Sequence, residues 1–239
     1  MPEKKRKFDC VLISKKKEAE NIITLKFRLK KSGRISFIPG QYVVVYLRNK
    51  SILEGKPYTI SSIPSDKFLS IAVKKMGKFS TALHNLKIGS KVVLEGPMGY
   101  FFPEENDREI VFLAAGIGVA PFYSIIKNYV KNGLIKNISI DLFYSNKTKS
   151  STAFYNKLNK ISDKNKNLRV HYFLTNQKIK NKHVASFKRI SFMSIKSKLS
   201  LLKSKRFFIC GPIKFVMDIR RQLLNQKVSE NKINTEIFY

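Results

Sequence analysis

A closed antiparallel β-barrel followed by an α/β domain built on a parallel sheet is the architecture this sequence predicts. Three observations carry it. The first hundred residues fall into short β-rich segments separated by Gly, Pro, Asn and Asp, as expected of hairpin-connected strands that close to hide their edges. Beyond residue 103, β-rich segments alternate with helical ones, which implies parallel strands covered by helices. Between the two lies PEENDRE (103–109), an acidic stretch in a chain with 47 Lys and Arg against 16 Asp and Glu. It divides the sequence into residues 1–103 and 104–239.

The barrel segments are DCVLIS (9–14), NIITLKFRL (21–29), ISF (35–37), QYVVVYL (41–47), YTISSI (58–63), FLSIAVKK (68–75) and KVVLEGP (91–97). Among them only TALHNL (81–86) reads as a short helix, with Ser80 as its N-cap. In the second region EIVFLAA (109–115) leads into a helix from Pro121. ISIDLFYS (138–145) leads into a helix over 151–162, and RFFICG (206–211) into one over 213–226. LRVHYFLT (168–175) is a further strand.

The 239 residues are 43% hydrophobic and 12% aromatic. That supports a sizeable core and excludes a disordered chain. Cys10 and Cys210 have no Cys or His at metal-ligand spacing, so no zinc or iron–sulfur site is expected. Two isolated cysteines fit a reducing, cytoplasmic compartment. The apolar window 111–126 is shorter than the roughly 20 residues of a membrane span. The basic opening lacks the apolar run of a signal peptide and reads as a solvated terminus. The net charge of +31 admits three readings: an acidic protein partner, nucleic acid or an anionic membrane, or a lysine-rich composition with no specific partner. The cations are spread from end to end, which favours the last reading, with an acidic partner next.

Ligands of parallel sheets sit beyond the carboxyl ends of the strands. Gly116–Pro121, Tyr144–Lys147 and Cys210–Pro212 all fall there. Gly116 and Gly118 permit close backbone approach, and Pro121 suits the first turn of a helix whose start favours phosphate. The turn is therefore a pyrophosphate cradle, or a tight strand–helix turn with no ligand. FFICGP (207–212) is a second such turn, with Cys210 at the strand end or as a buried structural cysteine. In the barrel, KPYTISS (56–62) places Lys56, Tyr58 and Ile60 on one face and Thr59 and Ser61 on the other. It suits a flat, phosphorylated ligand or an ordinary half-buried strand. Gly77 and Ser80 open a short helix that offers a second anion site or only a cap.

Together these residues resemble the ferredoxin–NADP reductase superfamily of flavoproteins, without a fused iron–sulfur domain. KPYT resembles its Arg-x-Tyr-Ser/Thr flavin motif, GKFS (77–80) its Gly-x-x-Ser/Thr phosphate motif, and AAGIGVAP (114–121) its Gly-Gly-x-Gly-x-x-Pro nucleotide motif. CGP (210–212) and TEIFY (235–239) resemble its Cys-Gly-Pro and terminal Glu-x-aromatic elements. The order and spacing cover almost the whole chain. The resemblance implies a flavin-binding barrel and a Rossmann-like NAD(P)-binding domain. Tyr58 would flank the isoalloxazine, with Thr59 hydrogen-bonded near its N5. Lys56 and Pro57 would border the flavin pyrophosphate, with Gly77, Ser80 and Thr81 on the other side and backbone contacts from Ala72, Val73 and Lys74. Gly116, Ile117, Gly118 and Pro121 would hold the NAD(P)H pyrophosphate, with Ser145, Asn146 and Lys147 nearby. Cys210, Gly211 and Pro212 would lie beside the nicotinamide. Glu236 would lie near the flavin face, and Phe238 or Tyr239 would stack on it. Thr59, Cys210 and Glu236 are the residues implied to act at the reacting rings.

Lys56 departs from the family's Arg and offers a point charge in place of a bidentate fork. Ala115 replaces a common Gly. Thr175-Asn176 stand where plant-type NADPH enzymes carry Ser-Arg, which leans toward NADH. FAD is preferred over FMN. With no four-cysteine pattern in the chain, electrons are expected to pass from NAD(P)H through FAD to a separate acceptor: ferredoxin, flavodoxin or an oxygenase component, with a small acidic carrier protein the favoured type. The alternatives are a flavoprotein subunit of a larger electron-transfer complex, and a basic OB-like nucleic-acid-binding protein.

Overall fold

The computed structural model describes residues 6–30, 33–47, 54–179 and 183–238. The first part is a six-stranded antiparallel sheet of β1 (Lys7–Ala19), β2 (Ile22–Leu29), β3 (Tyr42–Leu47), β4 (Lys56–Thr59), β5 (Leu69–Lys74) and β6 (Lys91–Met98). A short helix, α1 (Lys78–Asn85), follows β5. The sheet order is β4-β3-β6-β1-β2-β5. Its two ends meet where Ile60 bridges Ile71 and the Ser61 N–H donates to the Ser70 carbonyl at 2.7 Å. The sheet thus closes one residue past β4, at the KPYT segment, and both edges disappear. Alternating residues of every strand, among them Leu12, Leu25, Val43, Ile71 and Leu94, fill the barrel.

Three details differ from the sequence reading. ISF forms no strand, yet Ile35 and Phe37 still bury in the barrel core as an extended plug. YTISSI pairs as a strand only through Thr59, because the chain crosses there from β3 to β5. The helix begins at Lys78, three residues before TALHNL, and its N-cap is Gly77.

The second part is a parallel sheet of β7 (Glu109–Ala115), β8 (Ser139–Asn146), β9 (Leu168–Leu174), β10 (Val184–Ser186), β11 (Arg206–Gly211) and β12 (Ile233–Ile237), in the order β10-β9-β8-β7-β11-β12. Four helices accompany it: α2 (Ala120–Lys131), α3 (Tyr155–Lys164), α4 (Phe192–Lys196) and α5 (Ile213–Asn225). Ile110, Phe112 and Ala114 join one core, and Val111 and Leu113 the other. A strand buried on both faces reads as the unbroken apolar run EIVFLAA. The helix after β8 starts at Tyr155, not at 151. Residues 148–152 instead form a hydroxyl-braced turn: the Thr152 and Ser151 hydroxyls donate to the Thr148 carbonyl at 2.8 and 2.9 Å.

The two parts share one seam. Ala19, Ile22, Ala72 and Phe101 of the barrel pack into the core of the second domain. The Phe101 ring lies 5.7 Å from Phe122 and 5.5 Å from Phe208. Burying such a ring stabilises by about 2 kcal/mol. Polar pins flank the patch. The Ser124 hydroxyl donates to the Ser62 carbonyl at 2.6 Å, and Lys157 pairs with Glu18 at 2.7 Å.

Candidate active site

A cleft of about 920 Å³ opens along this seam. On the barrel side it is walled by β4, β5 and the start of α1. The other domain contributes the turn after β7 and the end of β12. All four residues of β4, Lys56, Pro57, Tyr58 and Thr59, line it. Tyr58 packs on Phe79, with centroids 6.1 Å apart and planes 25° apart. Burial pushes its phenol up to about 12, so it presents a neutral ring. Thr59 is 3% exposed, and its hydroxyl has no hydrogen-bond partner in the protein. Such a buried group is costly, and this one belongs to a residue that borders the cleft. Lys56 pairs with Glu54 at the exposed lip, 3.2 Å apart.

Opposite β4, Ala72 and Lys74 border the cleft. Val73 turns into the barrel core, and its carbonyl accepts from His84 Nε2 at 2.9 Å. At the start of α1 the Ser80 hydroxyl accepts from the N–H groups of Met76 (2.8 Å) and Gly77 (2.9 Å). Ser80 therefore braces the loop from inside the helix and is not its cap. The first N–H groups of α1 have no partner within the helix, and Gly77, Lys78 and Ser80 border the cleft there. Thr81 does not border it; its N–H donates to the Gly77 carbonyl at 2.9 Å.

On the other side β7 ends in Gly116 at φ +57, a 3₁₀ turn over Gly116–Val119, and α2 with Pro121 in its first turn. Ile117 and Ala120 border the cleft. Gly118 is required by proximity: a Cβ there would lie 2.2 Å from the Cys210 carbonyl oxygen. The two turns singled out in the sequence are thus in contact. Parallel pairing sets Cys210 beside Glu236, with Sγ 3.9 Å from Oε2. Burial, reinforced by Glu236, pushes the Cys210 thiol well up, and burial raises Glu236 to about 7. Cys210 is fully buried and does not border the cleft. Gly211 accepts at its carbonyl from the Phe238 N–H, 2.9 Å, and Pro212 caps α5. Phe238 borders the cleft; Tyr239 lies outside the described residues. Ser145 and Asn146 end β8 and Lys147 follows it; none of the three borders the cleft. Their backbone is tied to the end of β9, where Thr175 N–H donates to Asn146 at 3.0 Å and Asn176 N–H to Lys147 at 2.8 Å.

Glu54, Met76, Lys78, Phe79, Ala120 and Ile237 also border the cleft and were not singled out in the sequence. Glu54 and Met76 lie just outside the motifs, and Lys78, Phe79, Ala120 and Ile237 inside them. Ile237 is placed there because INTEI, which carries no strand-like run, pairs with Phe207–Gly211. Among the described residues no three His, Cys, Asp or Glu group as a metal site, and no helix is long and apolar enough to cross a membrane.

These residues fit an FAD. They offer a neutral aromatic wall, an unpartnered buried hydroxyl, open helix-start donors and lysines at two sides. The comparisons agree. Residues 9–102 match the oxidoreductase FAD-binding domain, and residues 112–221 the oxidoreductase NAD-binding domain. The chain therefore joins an FAD-binding to an NAD-binding oxidoreductase domain. Flavohemoprotein A of Dictyostelium discoideum is 27% identical over 96% of this chain and 60% of its own length. The CS-b5R domains of human Ncb5or, in an NAD+ form, are 26% identical with a TM-score of 0.84, over 98% of this chain and 70% of that one. A ferredoxin NADP+ reductase from Neisseria gonorrhoeae with bound FAD and NADP superposes with a TM-score of 0.82 at 20% identity, over 98% and 99% of the two chains. The chain spans about 60% of the length of the flavohemoproteins it matches. It belongs to the ferredoxin–NADP reductase superfamily.

Proposed function

We propose that this chain passes electrons from a reduced nicotinamide nucleotide through FAD to a separate acceptor, and that its working units are residues 1–103 and 104–239. One observation carries the reading: the KPYT strand and the α1 start share a single cleft with Ile117, Ala120 and Phe238 of the other domain. FAD held there by these residues would supply the hydride-accepting and electron-releasing chemistry, while the protein supplies position and electrostatics.

In this reading Thr59 donates its unpartnered hydroxyl to the flavin ring, and Tyr58 flanks the ring. Lys56, Pro57, Gly77 and Ser80, with the Ala72–Lys74 backbone, hold the flavin's phosphate side, and Thr81 supports the start of α1 from behind through its bond to Gly77. Gly116, Ile117, Gly118 and Pro121 cradle the nucleotide pyrophosphate, with Ser145, Asn146 and Lys147 beyond it. Cys210, with Gly211 and Pro212, closes the nicotinamide end. The Cys210 thiol keeps its proton and donates it toward Glu236 Oε2. Phe238 covers the flavin face. The absence of a cation at Thr175-Asn176 supports NADH over NADPH. The net charge of +31 supports a small acidic carrier protein, such as a ferredoxin, flavodoxin or oxygenase component, as the acceptor.

The test is the absorption spectrum of the FAD-loaded protein under anaerobic conditions with NADH or NADPH, followed by addition of acidic carriers. Bleaching by a nucleotide and recovery with a carrier support the reading. Protein that holds no flavin, or that stays oxidised with both nucleotides, refutes it.

A further inference from the structure

We propose that Tyr144 is a positioning residue for the nicotinamide nucleotide, holding the Gly116 carbonyl so that the turn's first N–H groups face the phosphates. The proposal rests on the reading of Gly116–Pro121 as the pyrophosphate cradle. Tyr144 belongs to no glycine motif and does not border the cleft. It lies in β8, fully buried, in register with Ala114 of β7. Its hydroxyl donates to the Gly116 carbonyl oxygen at 2.9 Å.

The consequence follows from peptide geometry. Across a trans peptide the C=O and the next N–H point in opposite directions. A Gly116 carbonyl drawn toward a hydroxyl inside the domain turns the Ile117 N–H outward. Ile117 borders the cleft. A 3₁₀ turn leaves its first N–H groups without partners inside the helix, so these donors are free for an anion. Gly116, at φ +57, gives the chain the bend this orientation needs.

The ring that carries the hydroxyl is held in place. Tyr144 lies 6.0 Å from Tyr172, which lies 4.5 Å from Tyr155. Burial pushes the Tyr144 phenol far up, so it remains a donor at any working pH. Phenylalanine would fill the same space in the core; besides the bond to Gly116, the oxygen also meets the Asn146 side chain and the Ala153 backbone, neither of which belongs to the turn. Losing that bond releases the 116–117 peptide to rotate, and a charge-assisted bond to phosphate weakens with it.

The experiment is Tyr144→Phe in the full FAD-loaded chain, with Tyr172→Phe as control. Tyr172 belongs to the same tyrosine cluster but donates to the Tyr155 carbonyl, away from the turn. Calorimetry with ADP-ribose and steady-state kinetics with NADH and NADPH provide the readouts. Tyr144→Phe should weaken ADP-ribose and raise KM about tenfold, with kcat within about twofold and flavin content unchanged; Tyr172→Phe should leave affinity intact. Equal affinity in Tyr144→Phe, equal loss in both variants, or a fall in kcat without a change in affinity would each overturn the role. If Tyr144→Phe does not fold, the wild-type Ile117 amide decides: it should shift by NMR on ADP-ribose binding, and an unmoved amide overturns the proposal. Wild-type protein that binds neither nucleotide nor ADP-ribose would overturn the cradle reading itself, and this role with it.

Discussion

Thr59→Val separates the needs of the flavin site from those of the fold, because it should move two quantities in opposite directions. The side chains are nearly isosteric, so packing at this buried position is kept. In the free protein the hydroxyl is buried without a partner. Removing a buried unpaired polar group relieves about 1–3 kcal/mol, and for a chain of this length each kcal/mol moves Tm by about 2–4 °C. The apoprotein should therefore melt a few degrees higher than wild type. With FAD the sign reverses. One hydrogen bond to the ring is lost, worth about 0.5–1.5 kcal/mol, which is roughly a two- to tenfold weaker Kd. Thermal melts of apoprotein and FAD-loaded protein, with a flavin fluorescence titration, read both. An apoprotein that melts lower while its FAD affinity is unchanged would show that the hydroxyl serves the fold and not the flavin.

Gly118→Ala would place a methyl 2.2 Å from the Cys210 carbonyl, and backbone must shift to admit it. The expected loss is about 3 kcal/mol or more, seen by urea unfolding, with nucleotide binding lost alongside; a variant of wild-type stability would mean that the two turns are not in contact. Glu236, raised from 4.5 to about 7 by burial, binds its proton more tightly folded than unfolded. Its linkage therefore lowers stability as pH climbs from about 4.5 to 7, by at most about 3 kcal/mol, and leaves it level above. Glu236→Gln should flatten that slope in urea melts from pH 5 to pH 8, and an unchanged slope counts against the burial argument. Phe238→Ala should alter the flavin absorption bands and tighten nucleotide binding about fivefold, since a ring stack of about 1 kcal/mol no longer has to be displaced. Identical spectra and kinetics would leave Phe238 only a packing role.

Much of the architecture was legible because it is local. The period-two strands of the barrel, the apolar run of β7 and the Gly–Pro turn before α2 each follow from neighbouring residues. What escaped depends on the assembled sheet. β12 exists because Ile233–Ile237 pairs with β11, and its own sequence, INTEI, has little apolar periodicity. Ser80 looked like a cap from its spacing, yet its hydroxyl turns back to Met76 and Gly77. Cys210 was read either as a strand end that meets ligand or as a buried structural cysteine; the structure buries it beneath Gly118 and against Glu236. Tyr144 was marked only by its place at the carboxyl end of a parallel strand; its role stays hidden until its hydroxyl is seen on Gly116.

The seam explains how one cleft can be shared by two domains without losing its shape. The tip of the β1–β2 hairpin docks on the loop before α3. There the Glu20 N–H donates to the Ser150 carbonyl at 2.8 Å, and Glu18, its side chain 4% exposed, pairs with Lys157. The same hairpin pairs through β2 with β5, setting Ile22 beside Lys74 and Thr24 beside Ala72. The strand that borders the cleft and the loop that follows β8 are therefore braced by one hairpin. This use of carboxylates also bears on the charge. Glu18, Asp66, Glu109 and Asp141 are each engaged by a cation of the chain. With 47 basic residues against 16 acidic, the remaining lysines set the outer field. A field of one sign raises the encounter rate of any oppositely charged molecule.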